Sequence, residues 1–315
     1  GGPADALVLP RTVEALTSVL SAARIEGIPV AVIGGGANLL IADSGVRGLV
    51  VCTSMLRETD EHPAGEATPD TGTMGSMTGE KRVLSAGAGL PVTELVARAQ
   101  SRGLAGLEFA AGLPGSVGGA VYMNARCYGR EFADALDAVH YILPDSAPSA
   151  AEGNTSRPAS YELAIVREDW AYKRTPFMNG RALSGAIIVG ARFRLLPGDP
   201  EALAARAREL ESDRRAKGHF DFPSAGSLFR NDRLFGRPTG MILDELGFRG
   251  KRIGDAMVSP KHANIFVNAG GATAADMLAL IGEAQEAARK AFGFELELEA
   301  VLLGDFKAGT RGEPS

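Results

Sequence analysis

The chain has 315 residues, 45% hydrophobic and 23% charged, which fits about two globular domains and excludes a fibrous or wholly disordered polymer. A net charge of −5 supplies no broad cationic field for a polyanion, so nucleic-acid binding is not expected. No apolar stretch reaches the ~18–20 residues of a membrane span, and Gly1-Gly2-Pro3-Ala4-Asp5 is not the basic opening of a secretory signal.

Thr12 precedes Val13, Leu16, Leu20 and Ala23 at helical spacing, and this helix ends at Gly27. The β-branched runs Pro29–Ile33 and Gly48–Cys52 read as short strands. Thr59–Glu80 is rich in Gly, Thr, Pro and acid, with almost nothing to bury, and reads as a mobile surface insertion. A strand at Val83–Ala86 and a helix from Val92 to Gly103 follow, the helix turning Leu95, Val96 and Ala99 inward. Strands come next at Val139–Leu143 and Ala186–Leu196, the second alternating around Arg192 and Arg194, with another insertion at Asp145–Ser160 between them. After Pro197-Gly198-Asp199-Pro200 the character changes, and a domain boundary is expected near residue 198. Beyond it lie a charged helix, Glu201–Lys217, and a Gly/Pro/Ser-bearing segment, His219–Phe229. A helix from Thr273 to Phe292 carries Met277, Leu280, Ile281, Ala284 and Ala288 on one stripe, and Glu295–Leu303 reads as a final alternating strand.

Four stretches are suited to chemistry. Gly34-Gly35-Gly36-Ala37-Asn38-Leu39-Leu40 leads from a strand into three glycines, whose backbone N–H groups can approach an anion closely. It is neither a Walker A loop nor a Rossmann fingerprint, and an ordinary glycine turn is the plain alternative. Ala111-Gly112-Leu113-Pro114-Gly115-Ser116-Val117-Gly118-Gly119 reads as a second backbone-rich loop; two such loops in one half of the chain suggest a dinucleotide. Pro223–Asn231 offers two hydroxyls, Arg230 and an amide within one short loop, where composition alone favours a plain polar turn; Ser227 suits proton donation or hydrogen bonding better than nucleophilic attack, for want of a nucleophile elbow. On the last strand Glu295 and Glu297 read as solvated, whereas Glu299 lies where its face turns apolar at Val301 and Leu303; desolvation there would raise its pKa, with a solvated strand-edge glutamate as the plain alternative.

Tyr172-Lys173-Arg174-Thr175 sets two cations beside a phenol and can pair with a carboxylate, with a solvated surface run as the alternative. Lys261-His262-Ala263-Asn264 opens a strand and can face an anion, though a lone His is more often structural. Cys52 and Cys127, the only cysteines, lack metal spacing; no metal is expected, and so few thiols fit a reducing cytoplasm.

In order, Gly1–Asp5, Gly34–Leu40, Gly106–Asn124, Ser224–Asn231, Val258–Asn264 and Phe292–Leu296 resemble the UDP-N-acetylenolpyruvoylglucosamine reductase (MurB) family across nearly the whole chain. The resemblance implies an α+β protein: a two-lobed FAD-binding domain of the vanillyl-alcohol-oxidase/PCMH type and a C-terminal α+β substrate-binding domain. The first would span 1–197, with lobes of about 1–53 and 54–197 and insertions at 59–80 and 145–160. The second would span 198–304, its last strand 295–303 returning towards the flavin, and 305–315 would be a tail. By resemblance Gly34, Gly35, Gly36, Ala37, Asn38, Leu39 and Leu40, with Ala111, Gly112, Pro114, Gly115, Ser116, Gly118 and Gly119, line FAD. Ser227 matches the proton donor, Glu299 the glutamate that steadies the intermediate, and Asn231 a diphosphate contact. Tyr172, Arg230, Lys261 and His262 join the substrate set.

The implied reaction is reduction of UDP-N-acetylglucosamine enolpyruvate to UDP-N-acetylmuramate by NADPH through FAD, in peptidoglycan synthesis, by a cytoplasmic monomer. No long insertion with a substrate-covering tyrosine is evident, which points to the shorter subgroup, and a short upstream segment is expected before Gly1. Two positions depart from the pattern: Tyr-Arg-x-Ser is here Tyr172-Lys173-Arg174-Thr175, so the catalytic arginine's role is shared between Lys173 and Arg174 with register favouring Lys173. The other is Arg126, which replaces a glycine and puts the local backbone in question. A flavin oxidase using O₂ and a non-catalytic nucleotide-sugar module are the competing readings.

Overall fold

Thr12 caps the first helix as its side chain requires: Oγ1 accepts from Ala15 N–H at 3.1 Å. The computed structural model describes residues 1–63, 81–144 and 160–306. In chain order the elements are β1 (Ala4–Val8), α1 (Val13–Ile25), β2 (Val30–Ile33), β3 (Leu39–Ile41), β4 (Val46–Cys52), β5 (Thr59–Pro63), β6 (Arg82–Gly87), α2 (Val92–Ser101) and β7 (Leu104–Ala105). Then come α3 (Val117–Tyr122), β8 (Arg126–Cys127), β9 (Arg130–Glu131), β10 (Leu136–Ile142), β11 (Tyr161–Ala164), β12 (Ile187–Pro197) and α4 (Pro200–Ala216). The chain closes with β13 (Ser224–Ser227), α5 (Thr239–Glu245), β14 (Arg252–Ile253), β15 (Ala256–Val258), β16 (Ile265–Asn268), α6 (Ala274–Phe292) and β17 (Val301–Leu303).

Two compact units result. One is assembled from Gly1–Ala6, Gly36–Leu49 and Ser212–Ser315, the other from Leu7–Gly35 and Val50–Glu211. The late crossing therefore falls inside α4, where composition alone suggested a break near 198. The second unit is built on an antiparallel sheet, ordered β11-β10-β12-β6-β5, with β7 on the end of β12. Its core includes Leu84, Leu95, Phe109, Phe132 and Phe193, with Phe132 edge-on to both Phe109 and Phe193 at 5.9 and 6.0 Å. The arginines that alternate along β12 are neutralised in place. Asp137 of β10 takes both Arg192 and Arg194, and Arg192 also grips Glu162 of β11 bidentately at 2.7 and 2.9 Å.

In the first unit, α6 lays Leu280, Ile281, Ala284 and Ala288 into a core with Phe229, Phe248 and Phe266. A reciprocal cap between Thr273 and Asp276 starts this helix, and the Thr273 bonds hold the Asp276 carboxyl below its usual range. The small sheet is ordered β13-β16-β15-β14, and β17 pairs in parallel with β3.

Several expectations are corrected. Thr59–Pro63, assigned to an insertion, is strand β5 on the edge of β6; the rest of that insertion (64–80), residues 145–159 of the second and the tail after 306 lie outside the described residues. The presumed loop at Ser224 begins with strand β13. Regular pairing of the last strand starts only at Val301. Gly118 and Gly119, assigned to a loop, sit inside α3. Arg126 adopts none of the left-handed conformations found nearby at Asn124 (φ 41°) and Tyr128 (φ 50°), so a side chain there needs no backbone strain.

Candidate active site

In the second unit the two glycine stretches meet backbone against backbone. Gly35 N–H donates to Ser116 Oγ at 3.1 Å. A Cβ on Gly34 would lie 2.4 Å from Ser116 Oγ, and one on Gly35 only 2.8 Å from Gly115 Cα. Only glycine permits this approach at Gly35, because the obstacle is main chain. Of the residues assigned to the second stretch, Gly115 and Ser116 make the contact, while Ala111 is buried in the core.

The strand that ends at Gly34 and the helix that follows Ser116 also border a cleft of about 440 Å³. Leu20, Arg24, Val30, Val32, Tyr122 and Ile187 are among its walls. None of these was singled out from the sequence. The available signal was β2 itself, whose Val30 and Val32 remain 37% and 40% exposed on one face. Burial within this unit pushes the Tyr122 phenol up.

The turn at Tyr172 belongs to the same unit and is fixed from beneath. Fully buried Asn124 donates to Ala171 O at 3.0 Å and accepts from Ala133 N–H at 3.0 Å. Thr175, also fully buried, donates to Tyr122 O at 2.9 Å, so this run is not merely a solvated surface. Lys173 has φ 53° and places Nζ 5.7 Å from the Tyr172 ring centre. Arg174 is exposed and turns back, its Nη2 donating to Glu168 O at 3.0 Å.

In the first unit the stretch after Ser227 is tied to the Glu297–Glu299 stretch through main chain. Glu299 N–H donates to Leu228 O at 2.8 Å, and Arg230 N–H donates to Glu297 O at 2.9 Å. Gly226, at φ 76°, stands in the bulge between the β13–β16 pairs Ser224–Val267 and Ser227–Ile265. Such a bulge re-aims the residue beside it. Asn38 fastens the other side: its Nδ2 donates to Glu299 O at 3.0 Å, and its own carbonyl accepts from Val301 N–H at 2.9 Å. Leu39 and Leu40 continue into β3, and Gly36 takes φ 70°. Glu295 and Glu297 are exposed and Glu299 is half-buried, as alternation suggested, but Val301 is 43% exposed and builds no apolar face beside it.

The remaining substrate candidates carry local duties. Asn231 Oδ1 accepts from Thr239 N–H at 2.9 Å at the start of α5, and Arg230 pairs with Glu297 at 3.1 Å. Lys261 pairs with Asp221 at 2.9 Å. His262 Nδ1 accepts from Asn264 N–H at 3.2 Å and faces His219, ring centres 6.0 Å apart. Burial, with Arg214, His262 and Lys217 adding positive charge, pulls His219 down to about 4, and burial likewise lowers His262. A neutral His262 meets an anion through a hydrogen bond, not through charge.

Comparison with known proteins decides the family. The model described as UDP-N-acetylenolpyruvoylglucosamine reductase, C-terminal domain, matches residues 218–303, and an FAD binding domain model matches 4–147. The reductase of that name from Treponema pallidum is 36% identical over 97% of this chain and 90% of its own. Its counterpart from Anaeromyxobacter sp. (strain K) is 41% identical over 97% and 82%. The chain belongs to the UDP-N-acetylenolpyruvoylglucosamine reductase family. The crystal structure of the Thermus caldophilus enzyme superposes with TM-score 0.68 at 30% identity, covering 96% of this chain and 93% of that one. The protein is thus an FAD-dependent oxidoreductase of peptidoglycan precursor synthesis, with the α+β fold expected from its sequence.

The residues present fit the reductase family's cofactor. Gly34, Gly35, Gly115 and Ser116 form a side-chain-poor surface suited to a pyrophosphate, and the neighbouring cleft sets apolar walls for a flat ring beside Arg24, Tyr122 and Asn179. Among the described residues no helix is long and apolar enough to cross a membrane.

Proposed function

We propose that this chain reduces UDP-N-acetylglucosamine enolpyruvate to UDP-N-acetylmuramate, with NADPH as electron source, in the cytoplasm and as a monomer. Residues 1–197 serve the cofactor in this reading, and 198–304 the nucleotide sugar. The observation that supports it most is the bond from Glu299 N–H to the carbonyl of Leu228, the residue after Ser227, which sets the hydroxyl-bearing and carboxyl-bearing stretches side by side.

Bound FAD supplies the hydride for the methylene carbon. Ser227 Oγ–H gives a proton to the adjoining carbon, so hydride and proton together saturate the double bond. Negative charge grows on that carbon and its carboxylate as the hydride arrives, and a preplaced cation stabilises it at that moment. Lys173 fills this role, since the Arg174 guanidinium is engaged with Glu168. Glu299 steadies the same charge through its carboxyl group. Asn231 and Lys261 hold the diphosphate, with His262 as a neutral partner.

Anaerobic stopped-flow absorbance of Ser227→Ala tests the reading. Flavin bleaching by NADPH should stay at the parent rate, while reoxidation by the enolpyruvyl substrate should slow by about 10²–10⁴-fold. Equal losses in both half-reactions would make the serine a binding residue. Rapid reoxidation by air without the UDP-sugar would favour an oxidase instead.

A further inference from the structure

Two cations converge on one ring: the structure puts Arg126 Cζ and Lys173 Nζ each 5.7 Å from the centre of Tyr172. We infer that Arg126 is a specificity-determining residue that grips the substrate's carboxylate alongside Lys173, an assignment that rests on the proposed reductase activity.

The supports are rigid. Asn124 lies two residues before Arg126, and its amide is bonded to the carbonyl of Ala171, the residue before Tyr172. Arg126 itself lies on β8, paired with Glu131 of β9, so its stem is anchored while the side chain is exposed. Among the described residues Arg126 has no carboxylate within ion-pair distance, and its charge stays available to a ligand.

The chemistry explains why a guanidinium would be needed. A lysine ammonium is a point charge, whereas a carboxylate is planar and takes two parallel N–H donors from an arginine fork. Lys173 offers no such fork. Arg174 does not supply it, being held by Glu168 O. Arg126 brings a fork to the same phenol from a different strand.

The test uses the FAD-loaded protein and two ligands, UDP-N-acetylglucosamine enolpyruvate and UDP-N-acetylglucosamine, which lacks the carboxylate. Arg126→Ala should raise KM for the enolpyruvyl substrate by roughly 10–100-fold, the range of a charged hydrogen bond. Binding of UDP-N-acetylglucosamine, followed by perturbation of the flavin spectrum, should not change, nor should flavin reduction by NADPH. Arg126→Lys should recover only part of the loss. An unchanged KM, or equal weakening of both ligands, overturns the inference. Absence of turnover by the unaltered protein sinks the proposed function and this inference together; turnover with the same KM in parent and variant sinks this inference alone.

Discussion

Asn264 is 1% exposed and commits both ends of its amide to Phe229, accepting from N–H at 3.0 Å and donating to O at 2.8 Å. Its own carbonyl accepts from Leu228 N–H at 2.8 Å. The backbone next to Ser227 is thereby clamped by a side chain that touches no reacting atom. Asn264→Ala should strand two buried main-chain groups and cost about 2–4 kcal/mol in urea unfolding, with m unchanged. The sequence marked Lys261-His262-Ala263-Asn264 for its charge, yet the asparagine proves to be its structural anchor. Composition cannot reveal that, because the partner is 35 residues away. Ser227 and Glu299 each stand out in their own stretch, but nothing in local spacing pairs them. Arg174 shows the reverse case, a cation that the sequence marks and that donates an N–H to a neighbouring carbonyl.

At the scale of elements, the long amphipathic helices α1, α2 and α6 are legible in the sequence, whereas the short α3 and α5 are not. The caps Thr12 and Thr273 and the apolar stripes of α1, α2 and α6 carry their own signals. Strands whose register depends on distant partners were read less well. β5 hid in a polar run because it is an edge strand, and β13 looked like a loop because Ser-Ala-Gly-Ser has no β-branched residue. The glycine turn gives a sharp element-level prediction. Gly35→Ala puts a methyl group 2.8 Å from Gly115 Cα, so the two stretches must part. FAD affinity, measured by fluorescence titration of the apoprotein, should fall at least tenfold, while far-UV circular dichroism should be preserved. Gly36→Ala meets no atom within 4 Å and suffers only from its φ of 70°, so its loss should be smaller.

For the whole molecule, the histidines set the acid limit. His140, His219 and His262 all titrate below their usual range, mainly through burial, with His219 near 4. Between pH 6.5 and 4 the unfolded chain therefore binds protons that the folded chain refuses, and stability falls as pH falls. Chemical denaturation across that window should show the decline, and His219→Gln should flatten it by on the order of 1–2 kcal/mol, allowing for solvent around a partly exposed ring. FAD should raise the melting temperature in proportion to the logarithm of its free concentration, since only the folded chain binds it. The α+β class was legible at this scale. The discontinuous make-up of the first unit was not, because no local signal reports that segments from both ends of the chain share a core.

That make-up bears on how the protein is born. Strand β3 at Leu39–Ile41 has its parallel neighbour at Val301–Leu303, so it leaves the ribosome some 260 residues before the partner exists. At about 5–20 residues per second this wait lasts roughly 13–50 s. During that interval a short apolar strand next to a glycine turn has no mate, and the nascent chain is most exposed to chaperones and to misassociation before its C-terminus has been translated.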